Sequence, residues 1–407
     1  MMFDGKTRTL PGIKRPKESL VAHLLGRMIA RIDCGHITVV LPCGDRIEHS
    51  GARSGPHATL VLHSWRAIRR LLSHGDLGFA EGYIDGDWSS PDLVALLELA
   101  ARNIAVLDRS ISGFWPARAF NRMRHVLRAN SKTGSRRNIS FHYDLGNAFY
   151  ERWLDPTMTY SSALYAHPNQ TLEEAQQAKL SRIEELVNLR GGEHVLEIGC
   201  GWGALAMRLA RAGARVTGIT LSTEQLAFSR KRREQEMLVD RTALELTDYR
   251  DVEGSYDRIV SIEMLEAVGE AYWPAYFETL HKRLNVGGIA VLQVITIDEA
   301  RFEAYRGSPD FIQRHIFPGG MLPTKAIIAQ QGAQSGLKLV STQSFGQSYA
   351  ATLAEWRKRF LASWPSIMEM GFSERFRRLW DYYLCYCEAG FRAATIDVGF
   401  YVLAKKS

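Results

Sequence analysis

Long hydrophobic runs are missing from this sequence of 407 residues. The longest nearly apolar stretch, Gly288 to Ile297, is too short to cross a bilayer, which needs about 20 residues in a helix. Met1 to Lys17 is polar and basic with no apolar segment behind it, so no secretory signal is expected. Cysteine is sparse as well. The five are Cys34, Cys43, Cys200, Cys385 and Cys387; none forms a C-x-x-C pair, so neither a disulfide framework nor a zinc site is expected. These absences point to a cytoplasmic protein without a bound metal.

What is present is ample apolar material, 46% of the chain, enough for the cores of two or three domains. Charge is unevenly spread. The chain nets +7, yet residues 101–140 alone hold nine basic residues, among them Arg118, Arg122, Arg124 and Arg128, against Asp108 as the one acid. Phe114, Trp115, Phe120 and Met123 are interleaved with them. Cations beside aromatics suit an anionic phospholipid surface, at about 1 kcal/mol for each basic residue near the lipid. A solvated linker and a nucleic-acid contact are the competing readings of the same charge.

Residues 1–20 read as a disordered tail and 21–112 as a small α+β unit. Ile37 to Pro42, Arg46 to Glu48 and Thr59 to His63 are strand-like, with Gly44-Asp45 as a hairpin turn between the first two. Ser64 is placed to cap a helix over Trp65 to Ser73, and Ser90 with Pro91 to start another over Asp92 to Arg102. The basic linker is set at 113–138, and a second domain at 139–407.

The second domain is organised around Val195-Leu196-Glu197-Ile198-Gly199-Cys200-Gly201-Trp202-Gly203, an apolar strand running into alternate glycines and a helix over Ala204 to Ala210. Glycine lets such a turn bend sharply and lets a ligand approach the backbone. Strands over Arg215 to Ile219 and Tyr256 to Ser261, with a helix from Thr223 to Arg233, make a βαβ rhythm and hence a parallel sheet with its ligand at the carboxyl ends of the strands. The spacing misses G-x-G-x-x-G because Gly203 comes one residue early, which disfavours NAD. A helix over Leu172 to Leu189 precedes the loop. Ile289 to Ile297, Leu337 to Ser344 and Gly399 to Lys405 are expected to complete the sheet. A helical insertion over Leu353 to Phe391 carries Trp356, Phe360, Trp364, Trp380, Tyr382 and Tyr383, either as core or as a lid over a greasy substrate.

The pattern Glu197-x-Gly199-x-Gly201-x-Gly203 resembles the S-adenosylmethionine loop of class I methyltransferases. With His142-Tyr143-Asp144-x-Gly146-Asn147, Tyr160-Ser161, Asp248-Tyr249-Arg250-Asp251, Met264-Leu265-Glu266 and Ile316-Phe317-Pro318, the sequence is similar to the cyclopropane-fatty-acyl-phospholipid synthases and mycolic acid cyclopropane synthases. The resemblance implies a Rossmann-like class I methyltransferase domain with a helical cap. In front of it the small α+β unit is similar to a sterol-carrier-like domain. S-adenosylmethionine is the implied cofactor, held by Tyr160, Ser161, Glu197, Gly199, Gly201, Gly203, Thr220, Leu221, Gln225, Asp248 and Tyr249. Thr220 stands where many methyltransferases carry an acid for the ribose hydroxyls.

The implied reaction moves a methyl group onto the double bond of an unsaturated acyl chain in a membrane phospholipid. Positive charge then develops on the chain and one proton must leave, which asks for alignment, a carboxylate and aromatic faces in a dry pocket. Glu266 is the candidate carboxylate, and Tyr143 joins it in the catalytic set. In the family a bicarbonate takes the proton, held by a cysteine, a histidine, a glutamate, a tyrosine and a backbone amide. Those places fall on Ser162, Gln293, Glu266, Tyr349 and the amide of Ile295. Ser162 and Gln293 are departures, Ala267 replaces a common histidine, and Gln293 cannot become cationic, so bicarbonate and ring formation are both in question. Cys387, with no basic partner beside it, reads as structural. The product is therefore a cyclopropane or a non-cyclic branched or methylene chain. A nucleic-acid methyltransferase lacks its Asn/Asp-Pro-Pro-Tyr motif, since Ser261-Ile262-Glu263-Met264 stands there. A non-catalytic lipid-binding protein would not need the intact glycines. Attachment to the inner face of the cell membrane is expected, and a homodimer is left open.

Overall fold

The computed structural model describes residues 16–111 and 145–406. The linker at 113–138 and Tyr143 lie outside them. Helix α1 (Pro16–Ile29) starts inside the tail expected to be disordered. Pro16 takes the first helical position, where its missing N–H leaves no intrahelical bond unmade.

Strands β1 (Cys34–Val40), β2 (Arg46–Ser50), β3 (Arg53–Leu62) and β4 (Trp88–Ser89) form a sheet in the order β2-β1-β3-β4. β1 meets β2 antiparallel across the turn at Gly44, whose φ of 89° favours glycine, and it meets β3 in parallel. Alternation along β1 buries Ile37 and Val39. Helix α2 (Arg66–Ile84) runs past the expected end at Ser73, because Gly75 at φ 64° kinks it and a second helical stretch continues. Helix α3 (Leu93–Arg102) is capped by Asp92, which accepts from the Ala95 amide at 2.9 Å, rather than begun by Ser90 and Pro91. It packs on β3 and β1 and buries Leu96, Leu97 and Leu99, and α4 (Ile104–Ile111) follows.

The second sheet has seven strands in the order β10-β11-β9-β8-β5-β6-β7. They are β5 (His194–Ile198), β6 (Arg215–Thr220), β7 (Thr242–Leu246), β8 (Tyr256–Ile262), β9 (Leu284–Ile297), β10 (Leu337–Ser344) and β11 (Ile396–Lys405). β5 to β9 run parallel, and β11 joins β9 antiparallel. β7 has no counterpart in the expected strands. It is an edge strand, Thr-Ala-Leu-Glu-Leu, with alternate residues exposed and no continuous apolar run to mark it.

The chain leaves β5 in one direction towards β6 and returns to β8 on the other side. The carboxyl ends of β5 and β8 therefore form the crevice where ligands bind in such sheets. Helices α5 (Asn147–Tyr150), α6 (Leu172–Val187), α7 (Ala204–Arg211), α8 (Thr223–Gln235), α9 (Leu265–Val268) and α10 (Trp273–Arg283) belong to this unit. So do α11 (Glu299–Gly307), α12 (Phe311–His315) and α13 (Lys325–Gln334).

The expected insertion is three helices, α14 (Gly346–Ala362), α15 (Trp364–Glu369) and α16 (Glu374–Arg392). Most of their aromatics are core: Trp153 meets Trp356 edge-on at 5.7 Å, and Phe149 meets Trp380 at 5.2 Å. Helix α16 also carries the first unit. The Tyr83 hydroxyl donates to buried Asp381 at 2.6 Å, and Arg378 donates to the Tyr83 carbonyl at 2.7 Å. Among the described residues no helix is long and apolar enough to cross a membrane, and no cluster of His, Cys, Asp and Glu is fit to hold a metal.

Candidate active site

A cavity of about 1150 Å³ opens at the carboxyl ends of β5 and β8. The turn after β5 forms one wall. The Gly199 and Cys200 amides both donate to the Ile219 carbonyl at 2.9 Å, which folds the turn back over β6. Gly199, Gly201 and Gly203 have φ of 81°, 51° and 84°, the left-handed region that glycine enters without strain. A Cβ on Gly201 would meet nothing within 4 Å, so open space lies beside its backbone; one on Gly199 would strike the Met264 side chain.

Glu197 lines the cavity, and its Oε2 has no hydrogen-bond partner among the described residues. Burial pushes its carboxyl up to about 8, with Lys179 pulling the other way. Lys179 of α6 is buried and donates to the Ser161 hydroxyl at 2.8 Å; burial lowers it to about 8 against the pull of Glu263, Asp155 and Glu197. Across the cleft, Thr220 donates to Gln225 Oε1 at 3.0 Å, and Leu221, Thr247 and Tyr249 complete the wall. An open glycine backbone beside an unpartnered acceptor suits an elongated ligand with donor groups, as S-adenosylmethionine has.

The other wall holds two carboxylates. Glu263 follows β8 with φ of 52°, a conformation uncommon for a residue with a side chain. Its Oε1 accepts from the Ser162 amide at 2.8 Å and from Gln293 Nε2 at 2.7 Å; its Oε2 accepts from the Tyr349 hydroxyl at 2.7 Å. Burial raises the carboxyl, while those donors and Lys179 draw it down, so it is the better candidate for the ionised partner. Glu266 Oε1 accepts the Ile295 amide, and its Oε2 has no partner among the described residues. Burial and the neighbouring Glu263 push Glu266 up to about 8.

The sequence-derived residues thus come together, but around a different centre. Tyr349, Gln293 and Ser162 converge on Glu263 rather than Glu266, which takes the Ile295 amide alone. Ser162 acts through its backbone N–H. Its hydroxyl donates to the Ala163 carbonyl at 2.9 Å and, like Gln293, it does not line the cavity. Two of the cofactor positions are displaced as well. Gly203 caps α7 and backs onto Ser229, while Trp202, Ala204 and Leu205 on either side of it line the cavity. Asp248 is held by Arg250 at 2.7 Å and stays out of the lining, although Tyr249 beside it remains.

Tyr160 and Ser161 line the cavity, Tyr160 sharing a hydroxyl contact of 2.9 Å with Tyr383. Cys387 also lines it, with burial pushing its thiol up and leaving no thiolate. Glu263 and Lys179 were missed by sequence reasoning. The signal for Glu263 was a carboxylate at a parallel strand's carboxyl end, and the signal for Lys179 was a lysine on the apolar face of α6.

Comparison with known proteins identifies the family. Residues 130–400 match the family model described as mycolic acid cyclopropane synthetase. A tuberculostearic acid methyltransferase of Mycobacterium tuberculosis is 40% identical over 94% of this chain and 91% of its own. The cyclopropane-fatty-acyl-phospholipid synthase of Escherichia coli K12 is 36% identical over 81% of this chain and 84% of its own. A mycolic acid cyclopropane synthase crystallised with SAH and CTAB superposes with a TM-score of 0.62 at 31% identity, over 66% of this chain and 97% of that one. The chain belongs to the mycolic acid cyclopropane synthetase family and is an S-adenosylmethionine-dependent methyltransferase.

Proposed function

We propose that the enzyme methylates the double bond of unsaturated acyl chains in phospholipids and releases a non-cyclic, methylene- or methyl-branched alkene. The observation that carries this reading is the Glu263 carboxylate, seated on the Ser162 amide, Gln293 and Tyr349. With Glu266 on the Ile295 amide, the glutamine, the tyrosine and the amide assigned by resemblance to a bound bicarbonate are engaged by the protein's own carboxylates. The relative that shares more of this chain is also named a methyltransferase rather than a cyclopropane synthase.

Gly201, Glu197 and Gln225 would hold S-adenosylmethionine, which would supply an electrophilic methyl group. As the π bond takes that methyl, positive charge develops on the other alkene carbon. Glu263 and the faces of Tyr349 and Tyr383 lie along the cavity to favour it. Closing a ring needs a base at the new methyl while the C–C bond forms. A hydride shift to the cationic carbon followed by loss of a methyl proton to Glu263 leaves a methylene branch. Loss of a proton from the adjoining chain carbon leaves a branched alkene. Neither outcome needs an oxidant or reductant. The basic stretch 101–140 supports the further reading that the enzyme works on anionic bilayers, which co-sedimentation with vesicles at rising salt would test.

Mass spectrometry of vesicle lipids incubated with enzyme and S-adenosylmethionine tests the product. A gain of one CH₂ that takes up two hydrogens on mild hydrogenation is expected, at a rate independent of added bicarbonate. A product inert to hydrogenation, formed at a rate rising steeply with bicarbonate, would restore the cyclopropane reading.

A further inference from the structure

The cavity does not end at the two carboxylates. It runs past Tyr386, Cys387 and Gly390 of α16 into the first unit, where Leu25 and Ile29 of α1, Val39 of β1, Leu60 of β3, and Leu97 and Ala100 of α3 line it. Five of these six are core residues of that unit, Val39 among them at 0% exposure. Its volume of about 1150 Å³ exceeds the roughly 300–1,000 Å³ of ordinary small-ligand pockets. Aliphatic side chains facing a void forgo the contacts that close packing would give them, and an apolar cavity stays dry. The same cavity reaches charged groups elsewhere: His74 and Asp76 at the kink of α2 and Arg301 and Glu303 of α11 also line it, and His74, Asp76 and Glu303 are exposed.

We infer that the first unit is the measuring end of the substrate site. It takes the methyl-terminal arm of the reacting acyl chain, so that the double bond is positioned by its distance from the methyl end. This inference rests on the acyl-chain reading above. A chain whose alkene lies between Glu263 and the glycine loop must send out two arms. One ends in an ester and a headgroup and needs a polar exit, which the rim at His74, Asp76 and Arg301 offers. The other is an unbranched hydrocarbon, and the chamber of Leu25, Val39, Leu60 and Leu97 offers it no hydrogen-bonding side chain. The acyl class is thus selected by a unit outside the methyltransferase sheet.

Vesicles of phosphatidylglycerol carrying only palmitoleoyl, only oleoyl or only cis-vaccenoyl chains separate the two arms. Oleoyl is longer than palmitoleoyl by two methylenes on the methyl side, and cis-vaccenoyl by two on the carboxyl side. Ala100→Phe, which fills the chamber, should lower kcat/KM for oleoyl relative to palmitoleoyl by about tenfold or more, the scale of a methylene mismatch in an apolar pocket. The palmitoleoyl to cis-vaccenoyl ratio and the affinity for S-adenosylmethionine should stay within about twofold. Leu97→Ala, which enlarges the chamber, should shift the oleoyl ratio the other way and serves if the first variant does not fold. An unchanged oleoyl ratio in an active variant overturns the inference, as does a shift confined to cis-vaccenoyl. A wild-type enzyme that methylates none of the three lipids sinks the acyl-chain reading itself.

Discussion

Gln293 donates from Nε2 to Glu263 over 2.7 Å, while its own carbonyl oxygen meets no donor among the described residues. The amide holds the carboxylate without giving it a proton, and so leaves Glu263 free to accept one from the substrate. Glu263→Gln should lower kcat by about 10² to 10⁴, the range of a positioned general base, with binding of S-adenosylmethionine retained. Glu263→Gly suits the backbone, given φ of 52°, and frees the Ser162, Gln293 and Tyr349 donors. Added bicarbonate or formate should then restore part of the rate. A Gln variant with wild-type turnover would remove Glu263 from the mechanism.

The glycine turn should separate binding from folding. Gly201→Ala puts a methyl into open space, so the melting temperature should fall by only a few degrees while the Kd for S-adenosylmethionine rises tenfold or more. Gly199→Ala should mainly destabilise, because its Cβ strikes Met264. Calorimetry and melting curves on both variants decide it. Equal loss of stability in the two would mean that Gly201 is only a turn residue.

Stability without cofactor should depend on pH through Glu266, whose carboxyl is raised from 4.5 to about 8. Between those values the folded chain keeps a proton that the unfolded chain has released. The unfolded state therefore binds fewer protons, and stability falls as pH rises until both forms are ionised above about 8. Glu266→Gln removes that loss, so its advantage in melting temperature should grow from about pH 5 to about pH 8 and then level off. Lys179, lowered to about 8, has the opposite sign and acts only above that pH. A gap that is flat across pH 5–8 would contradict the assignment.

At the junction of the two units, Tyr83→Phe removes one of the donors on buried Asp381 and leaves Arg357 at 2.7 Å. A cost of about 1–3 kcal/mol is expected in chemical denaturation. No change would mean that water takes the place of the hydroxyl.

The glycine loop and the βαβ order were legible because each sits on a strong local pattern, an apolar strand running into turn residues, whereas Tyr349, Ile295 and Glu266 were named through a family resemblance. Glu263 was quoted only for the motif it does not form. Nothing in Ser261-Ile262-Glu263-Met264 reveals a positive φ that turns the side chain back towards Ser162 and Gln293, which lie 101 and 30 residues away. Lys179 stands on the apolar face of α6, but the carboxylates that act on it, Glu263, Asp155 and Glu197, come from other segments. The parallel pairing of β1 with β3, and the shared cavity, depend on how distant segments dock, which local periodicity does not encode.

The bond between Tyr83 and Asp381 joins residues 298 apart in the chain, and β11 lies inside the second sheet between β9 and β10. Ribosomes deliver residues in order at about 5–20 per second. The apolar chamber of the first unit is therefore synthesised long before the helix that closes it. For tens of seconds the nascent chain shows Leu97 and Ala100 to whatever is near. Chaperone demand during translation should follow from this arrangement, and supplying α16 early, by circular permutation, should ease it.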